Sequence, residues 1–313
     1  MGVTRLFTVA VALAAGVLAV AAGFLLAPAR AAQGVPIRGG PAHPRRAAIF
    51  AHGLAASPAK GATITISFTH GATLQSTDRI APNTFGTIFG ANFVPATRLW
   101  NASFQNGVAP TELEGIKVLI NGKRAFISFV GRAADFGGSS DQVNFVAPDD
   151  AAQGRVEVVV ENARGDRNTQ FFVNLLREVP AFFPFDPEGR RYLAAVHADG
   201  TLVGKAGLFG AALTTRPVKP GDRILLYGTG FGRTNPAVPV GQIPTQAAPL
   251  VENVALLFGQ TPATLEYAGL SGFVGVYQFN VVVPNVGPGD VEIRATIAGV
   301  QTPTGFFLTV AAP

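Results

Sequence analysis

Hydrophobic and polar residues alternate with a period of two in several short segments of this chain. The alternation is clear at residues 142–145, 155–161 and 291–296, where apolar side chains are separated by amides, acids, arginine or threonine. A period of two places successive side chains on opposite faces of a strand, so each segment predicts a half-buried β-strand. Turn residues interrupt the strands every 8–12 residues or so, which is typical of antiparallel sandwiches.

Turn-forming dipeptides connect some of these strands. Asn121–Gly122 lies between apolar runs at residues 117–120 and 124–127. This placement predicts a β-hairpin with a type I′ turn, because both central residues of that turn need a positive φ. Asp199–Gly200 predicts a second hairpin in the other half of the chain.

The chain contains an internal repeat. The matching segments are residues 88–93 and 226–231, residues 115–131 and 253–269, and residues 141–148 and 277–284. A repeat of this length indicates a duplicated domain, since solenoid units repeat roughly every 20–50 residues. The predicted fold class is therefore all-β, with two tandem immunoglobulin-like antiparallel β-sandwiches at residues 61–178 and 179–313. Residues 179–185 carry three phenylalanines beside prolines, which predicts an extended aromatic junction docked between the sandwiches.

The N-terminal residues predict export. Residues 1–31 have the pattern of a signal peptide, with Arg5 before an uncharged apolar stretch and a small-x-small site at residues 29–31. An uncleaved anchor stays an alternative, because a membrane span needs about 20 apolar residues and this stretch is long enough. Residues 32–60 are rich in Ala, Pro and Gly and predict a flexible tail. We expect an extracellular, cell-surface or periplasmic protein with no membrane span after cleavage.

The charge balance argues against a nucleic-acid partner. Six of the 24 Lys and Arg residues lie within residues 1–60, which contain no acid, so 18 basic residues face 19 acidic ones in the remainder. A near-neutral body offers no basic face to attract phosphates. Disulfides are excluded as well, because the chain has no cysteine.

The residues needed for catalysis or for a cofactor are missing from the sequence pattern. The chain has four histidines, no cysteine and no G-x-S-x-G motif, and no two histidines have the close spacing of a zinc site. Residues 228–232 resemble half of a dinucleotide fingerprint, but Pro236 prevents the helix that would have to follow. We therefore predict a non-enzymatic protein with no cofactor and no metal site.

Acidic residues in the loops leave a calcium site open as an alternative. Asp149, Asp150 and Asp186 could hold calcium, but no Asp-x-Asp-x-Asp-Gly loop is present, so we interpret them as solvated turn acids. Arg164, Gly165 and Asp166 spell an integrin-recognition tripeptide, which we interpret as ordinary turn chemistry.

The loop at residues 94–113 departs from the repeat and supplies the candidate ligand surface. It contains Trp100, Asn101 and Phe104. A tryptophan in a polar loop could stack on a sugar ring, or it could plug the open end of its own core. We favour the plug.

Several motifs together resemble a family of secreted bacterial proteins. The elements that carry the resemblance are residues 80–82 and 88–90, the hairpin at 118–122, residues 141–145, 220–222 and 226–230, and residues 272–284. The family is abundant in Acidobacteria of the Solibacter type and has an uncharacterised C-terminal region; the two units also look like the immunoglobulin-like modules of plexins and some transcription factors. The resemblance covers residues 70–312, implies the fold and export, and offers no catalytic residues.

These observations predict an exported, non-enzymatic structural or interaction module for adhesion or protein–protein binding at the cell surface or outside the cell. The alternative is a carbohydrate-binding module that uses the loop around Trp100. The expected partner is accordingly an extracellular protein or a polysaccharide.

Overall fold

The computed structural model describes residues 63–136, 138–185, 191–210 and 213–312. The predicted signal peptide at residues 1–31, the predicted tail at 32–60 and the candidate calcium ligand Asp186 lie outside the described residues. Within these ranges, one short helix, α1 (Ala133–Phe136), and a 3₁₀ turn at Trp100–Ser103 accompany the strands.

The first sandwich is built by strands that precede residue 176. These are β1 (Thr63–Ile64), β2 (Ile66–His70), β3 (Arg79–Ile80), β4 (Phe85–Gly90), β5 (Arg98–Leu99), β6 (Lys117–Ile120), β7 (Lys123–Arg124), β8 (Phe126–Gly131), β9 (Asp141–Val146), β10 (Gly154–Glu161), β11 (Arg167–Asn168) and β12 (Phe172–Leu175). One sheet has the order β2–β4–β9–β8–β5, and in the other β10 pairs with both β6 and β12.

The second sandwich is built by strands that follow residue 180. These are β13 (Ala181–Phe182), β14 (Ala195–His197), β15 (Leu202–Val203), β16 (Thr215–Arg216), β17 (Arg223–Thr229), β18 (Ala248–Pro249), β19 (Val254–Phe258), β20 (Thr261–Pro262), β21 (Thr264–Leu270), β22 (Tyr277–Val282), β23 (Gly289–Ile297), β24 (Val300–Gln301) and β25 (Phe307–Val310). One sheet contains β14–β17–β22–β21, and in the other β23 pairs with both β19 and β25.

Both sandwiches have the strand order of a constant-type immunoglobulin domain. That fold pairs strands A, B, E and D in one sheet and C, F and G in the other. In chain order, β2, β4, β6, β8, β9, β10 and β12 take the places A to G in the first sandwich. The second sandwich uses β14, β17, β19, β21, β22, β23 and β25, and all these pairings are antiparallel. The predicted fold class, two tandem immunoglobulin-like antiparallel sandwiches, is confirmed.

The internal repeat extends to an irregularity in the sheets. The pairing of β8 with β9 shifts register between Ile127 and Phe129, and the pairing of β21 with β22 shifts between Leu265 and Tyr267. These positions coincide when residues 115–131 are aligned with 253–269. A β-bulge adds one residue to a strand and increases its twist. The duplication therefore preserved the local backbone as well as the strand order.

The Asn121–Gly122 turn is confirmed, but its hairpin is shorter than predicted. Both residues have a positive φ, at 51° and 74°, and β6 pairs with β7 across them. The predicted second arm at residues 124–127 continues this ladder only at its start, where Arg124 lies opposite Leu119 and the Ala125 amide donates to the Val118 carbonyl at 2.9 Å. From Phe126 onward the chain crosses to the other sheet and pairs with β9. Alternation within one segment cannot reveal such a change of sheet.

Candidate functional site

The two sandwiches share a buried apolar cluster. It has contributions from both and from the connecting segment: Ala72, Phe85, Ala109, Val146, Ala181, Phe183, Phe185, Ala194, Val196, Leu202, Tyr227, Val274 and Val276. We call it the junction cluster. Phe85 and Phe183 meet edge to face, with ring centroids 5.9 Å apart.

The aromatic segment after residue 178 docks as part of this cluster. Its strand β13 pairs with β17, which places Phe182 in the core of the second sandwich and Phe183 and Phe185 in the junction cluster. Gly230 allows the approach of the connector, because a Cβ at that position would collide with the carbonyl oxygen of Val179. Residues 228–232 thus serve a close backbone approach, as the turn interpretation expects.

A chain of buried hydrogen bonds crosses the junction beside the apolar cluster. The Phe85 amide donates to Thr229 Oγ1 at 3.0 Å, and the Thr229 hydroxyl donates to the Asn83 carbonyl at 3.3 Å. Asn83 Nδ2 donates to the Tyr277 hydroxyl at 3.3 Å, and that hydroxyl donates to the Gly232 carbonyl. Burial raises the pKa of Tyr277 to about 12, so the hydroxyl stays protonated and able to donate.

His70 joins the first sandwich to the connector. Its ring is buried, with Nε2 lying 3.2 Å from the Val179 carbonyl oxygen and Nδ1 accepting from the Ala72 amide at 3.2 Å. This pair of partners fits the neutral tautomer with a proton on Nε2. Burial lowers the pKa of His70 to about 4, against a smaller opposite effect of the Val179 hydrogen bond.

Backbone hydrogen bonds also link the B–C segments of the two sandwiches, which run from β4 to β6 and from β17 to β19. The Ala109 amide donates to the Gly241 carbonyl at 2.7 Å, and the Ile243 amide donates to the Gly107 carbonyl at 2.8 Å. Gly241 has a φ of +86°, and a Cβ at that position would overlap the ring of Phe126. Because Ala109 also belongs to the junction cluster, these backbone hydrogen bonds extend the junction along the two segments.

A cleft of about 520 Å³ opens where the connector, the first sandwich and the second sandwich come together. Tyr277 and Leu270 contribute to its lining, with aliphatic groups at Leu176, Val238 and Val240. Its charged lining residues are Asp149, Asp150, Arg177, Glu178 and Arg233. Pockets of this size, mostly apolar with a few polar groups, are typical of binding sites.

Glu178 is the charged lining residue whose pKa is raised by burial. Its side chain is half-buried and lies over Gly232, where a Cβ would come within 3.1 Å of Glu178 Oε1. Burial raises the pKa of Glu178; the Glu252 carboxylate adds to this rise, while Arg177 and Arg233 oppose it. Among the described residues, no group forms a hydrogen bond or a close ion pair with this carboxylate.

Asp150, by contrast, is fully engaged in a turn. It accepts hydrogen bonds from the Ala152 amide and from Asn121 Nδ2, both at 2.9 Å, and lies 3.2 Å from Lys123 Nζ. Burial works to raise the pKa of Asp150, but these donors outweigh it and hold the pKa below its usual value. Within the described ranges, no three His, Cys, Asp or Glu residues converge as a metal site requires.

Trp100 lies at the edge of the junction cluster. The indole is half-buried and packs against both the core of the first sandwich and the junction cluster. Its ring centroid is 5.1 Å from that of Phe104 and 6.2 Å from that of Phe85, both edge to face, while Asn101 is exposed. A plug requires this arrangement. Sugar binding by these residues stays a prediction.

The Arg164–Gly165–Asp166 tripeptide does not present its acid. Asp166 is only 1% exposed, and its carboxylate accepts from Asn162 Nδ2 at 3.0 Å and Arg164 Nε at 2.8 Å. The turn interpretation accounts for all three residues.

Comparisons with known proteins add little to this geometry. No protein-family model matches the chain, and no curated protein matches it. Similar solved structures include the Bacteroides ovatus surface glycan-binding protein SGBP-B in complex with a mixed-linkage heptasaccharide, at 10% identity over 75% of this chain and 44% of that one, TM-score 0.32. Others are fibronectin(III)-like modules of Clostridium thermocellum CbhA, at 9% identity over 79% and 95%, TM-score 0.19, and the tandem Ig repeats of Dlar, at 10% identity over 80% and 99%, TM-score 0.19.

The chain spans less than half the length of the glycan-binding protein that it matches. Because all these TM-scores are low, the immunoglobulin topology rests on the strand pairing within the chain. No helix in the described ranges is long and apolar enough to cross a membrane.

Proposed function

We propose that this chain is an exported, non-catalytic interaction module whose two sandwiches form one body and bind a partner in the cleft between them. The observation that carries the proposal is the junction, where an apolar cluster and a buried hydrogen-bond chain enclose one side of a cavity. A flexible linker would leave no permanent cleft. Burial of an apolar junction disfavours independent motion of the domains.

The described histidines support a binding role over a catalytic one. His70 and His197 are both buried, and each has Nε2 3.2 Å from a backbone carbonyl oxygen, that of Val179 and Arg216 respectively. Neither lines the cleft. A general base has to reach its substrate, whereas these rings are buried with Nε2 against the backbone, and His197 Nδ1 lies 3.7 Å from the Asp222 carboxylate.

Export is proposed from the N-terminal pattern, and with it a location at the cell surface, outside the cell or in the periplasm. Membership of the secreted Acidobacterial family stays a prediction. The absence of cysteine suits any of these locations, because stability then comes from packing and sheet pairing alone.

Export is tested by producing the full chain with a C-terminal epitope tag in a bacterial host. We expect external protease to cleave the tag on intact cells, or the tag to appear in the medium or periplasmic fraction, while a cytoplasmic control protein stays protected. A tag found only in the cytoplasm would refute the proposed location.

The non-catalytic role needs a separate measurement. Purified full chain is incubated with chromogenic esters, glycosides and peptides, and we expect no turnover above that of buffer. Turnover that disappears when Glu178 is replaced by Gln would make the cleft an active site and refute the proposal.

A further inference from the structure

Resting on the proposed function, we propose that the cleft recognises a peptide segment of a partner protein, in which a Lys or Arg side chain pairs with Glu178 and a neighbouring apolar side chain packs on the aliphatic wall. The cavity of about 520 Å³ is large enough for a few side chains but not for a folded domain. An extended segment is the form of protein that fits it.

Glu178 determines the charge of the ligand. Its carboxylate is half-buried at the cleft and has no hydrogen-bond or close ion-pair partner among the described residues. A buried or half-buried charge without a partner has lost part of its hydration. A cation that enters the cleft compensates the carboxylate for this lost electrostatic stabilisation. A charge-assisted hydrogen bond from a Lys or Arg side chain supplies this partner.

The two arginines of the lining have a different environment. Arg177 and Arg233 are exposed, so water already solvates their guanidinium groups, and exposed ion pairs contribute little. They can donate hydrogen bonds to the carbonyl oxygens or carboxylates of a bound peptide, but they do not select an anionic ligand over a basic one. Asp149 adds a further exposed carboxylate to the lining.

The aliphatic wall determines the rest of the ligand. Leu176, Val238, Val240 and Val251 line the cleft, and Val251 is 51% exposed. Lys and Arg bury their methylene stems on such surfaces while the charged end reaches a polar group. A sugar would need an aromatic ring with an accessible face. The aromatic residue of this lining is Tyr277, whose side chain is fully buried.

The test uses an array of immobilised hexapeptides that differ at one central position, which carries Lys, Arg, norleucine or Glu next to a leucine. Labelled full chain is applied, and retention on each peptide is quantified. We expect Lys and Arg peptides to be retained roughly tenfold more than their norleucine partners, because hydrogen bonds to charged groups contribute at least that factor. Equal retention on all four, no retention, or a preference for Glu would overturn the proposal.

Glu178→Gln keeps the shape of the side chain and removes its charge, so we expect the preference for Lys over norleucine to fall to near unity. Glu252→Gln is the matched control: Glu252 is exposed, lies near enough to raise the pKa of Glu178, and does not line the cleft. It should keep the preference. Glu178→Lys should reverse it towards Glu peptides. A preference that survives Glu178→Gln in a protein with unchanged melting temperature would overturn the proposal.

Ala237→Trp separates this proposal from the proposed function. Ala237 is exposed at the cleft, so a tryptophan there fills the cavity without entering the core. If Ala237→Trp abolishes peptide retention but Glu178→Gln leaves retention unchanged, the cleft is still a binding site and the proposal of a basic ligand is refuted. A parallel arm with immobilised polysaccharide identifies a glycan ligand: retention there that Ala237→Trp abolishes would also refute the peptide.

Discussion

The B–C segments of the two sandwiches occupy equivalent places in a duplicated fold but have different environments. In the first sandwich this segment runs from β4 to β6 and packs Trp100 and Phe104 against the junction cluster. In the second it runs from β17 to β19, and residues 232–234, 237, 238 and 240 line the open cleft. The strands and even the bulge are repeated. The framework was kept, while one segment packs aromatic rings against the junction and its counterpart borders a cavity beside it.

The largest effect is expected from a substitution that forces the sandwiches apart. Gly275 has a φ of +74°, and a Cβ there would lie 2.8 Å from the Phe85 ring and 2.9 Å from Val146. Gly275→Val combines backbone strain with overpacking, so we expect a loss of about 4 kcal/mol in the free energy of unfolding. In calorimetry, we expect one unfolding transition for the unsubstituted chain and two for Gly275→Val.

Gly272→Ala is the matched control for this substitution. It lies in the same loop, and a Cβ there meets nothing within 4 Å. We expect an unchanged melting curve. Two transitions already present in the unsubstituted chain would show that the junction does not couple the sandwiches.

A slightly smaller effect is expected from protonation of His70. Its pKa is about 4 in the folded protein and near 6.5 when unfolded, so the unfolded state binds the extra proton between these values. The stabilisation is complete above pH 6.5, falls as the pH falls, and is lost below pH 4, for a total of ~3 kcal/mol.

Urea unfolding between pH 7 and pH 4 measures this contribution. His70→Gln should remove most of the dependence. His197→Gln should keep it, because the His197 ring contacts the Arg216 carbonyl and lies 3.7 Å from the Asp222 carboxylate instead of bonding to the connector. An identical pH profile for His70→Gln and the unsubstituted chain would contradict the account.

The buried hydrogen-bond chain at the junction should contribute somewhat less than His70 to the free energy of unfolding. Tyr277→Phe leaves Asn83 Nδ2 and the Gly232 carbonyl without their buried partner, which costs about 2 kcal/mol. Tyr192→Phe removes an exposed hydroxyl that donates to Asp290 at 2.7 Å, and we expect a loss below about 1 kcal/mol. Urea unfolding compares the two, and equal losses would show that the junction hydroxyl has no special role.

An effect of similar size to that of Tyr277→Phe distinguishes the two interpretations of Trp100. Because it is the only Trp, its fluorescence reports directly on this site. A plug predicts weak quenching by iodide, no shift with added polysaccharide, and a loss of about 2 kcal/mol in Trp100→Ala, since the indole is only half-buried. Strong quenching together with a polysaccharide-dependent shift would favour the carbohydrate-binding alternative instead.

The sequence predicted the framework because periodicity and turn chemistry are local. Alternation located β10 and β23, and Asn121–Gly122 predicted its turn, because the φ requirement acts on those two residues alone. The second arm of this hairpin is shorter than predicted, because the change of sheet near Phe126 depends on a partner, β9, that lies further along the chain.

The cleft was missed for a related reason. Glu178 and Tyr277 are 99 positions apart, and no motif connects them. Acids such as Asp149 and Asp150 were visible as candidates. Only the folded chain shows that Lys123 and Asn121 engage Asp150, while Glu178 has no hydrogen-bond or close ion-pair partner among the residues that the structure describes. Burial and pairing distinguish these carboxylates, and both properties require the packed junction.

Residual dipolar couplings test most directly whether the two sandwiches form one body. Backbone N–H couplings are measured for the isotopically labelled full chain in a dilute alignment medium, and an alignment tensor is fitted to each sandwich separately. The account predicts the same tensor, in magnitude and orientation, for both sandwiches. Tensors that differ between the sandwiches would show independent motion and contradict the permanent cleft on which the proposed function depends.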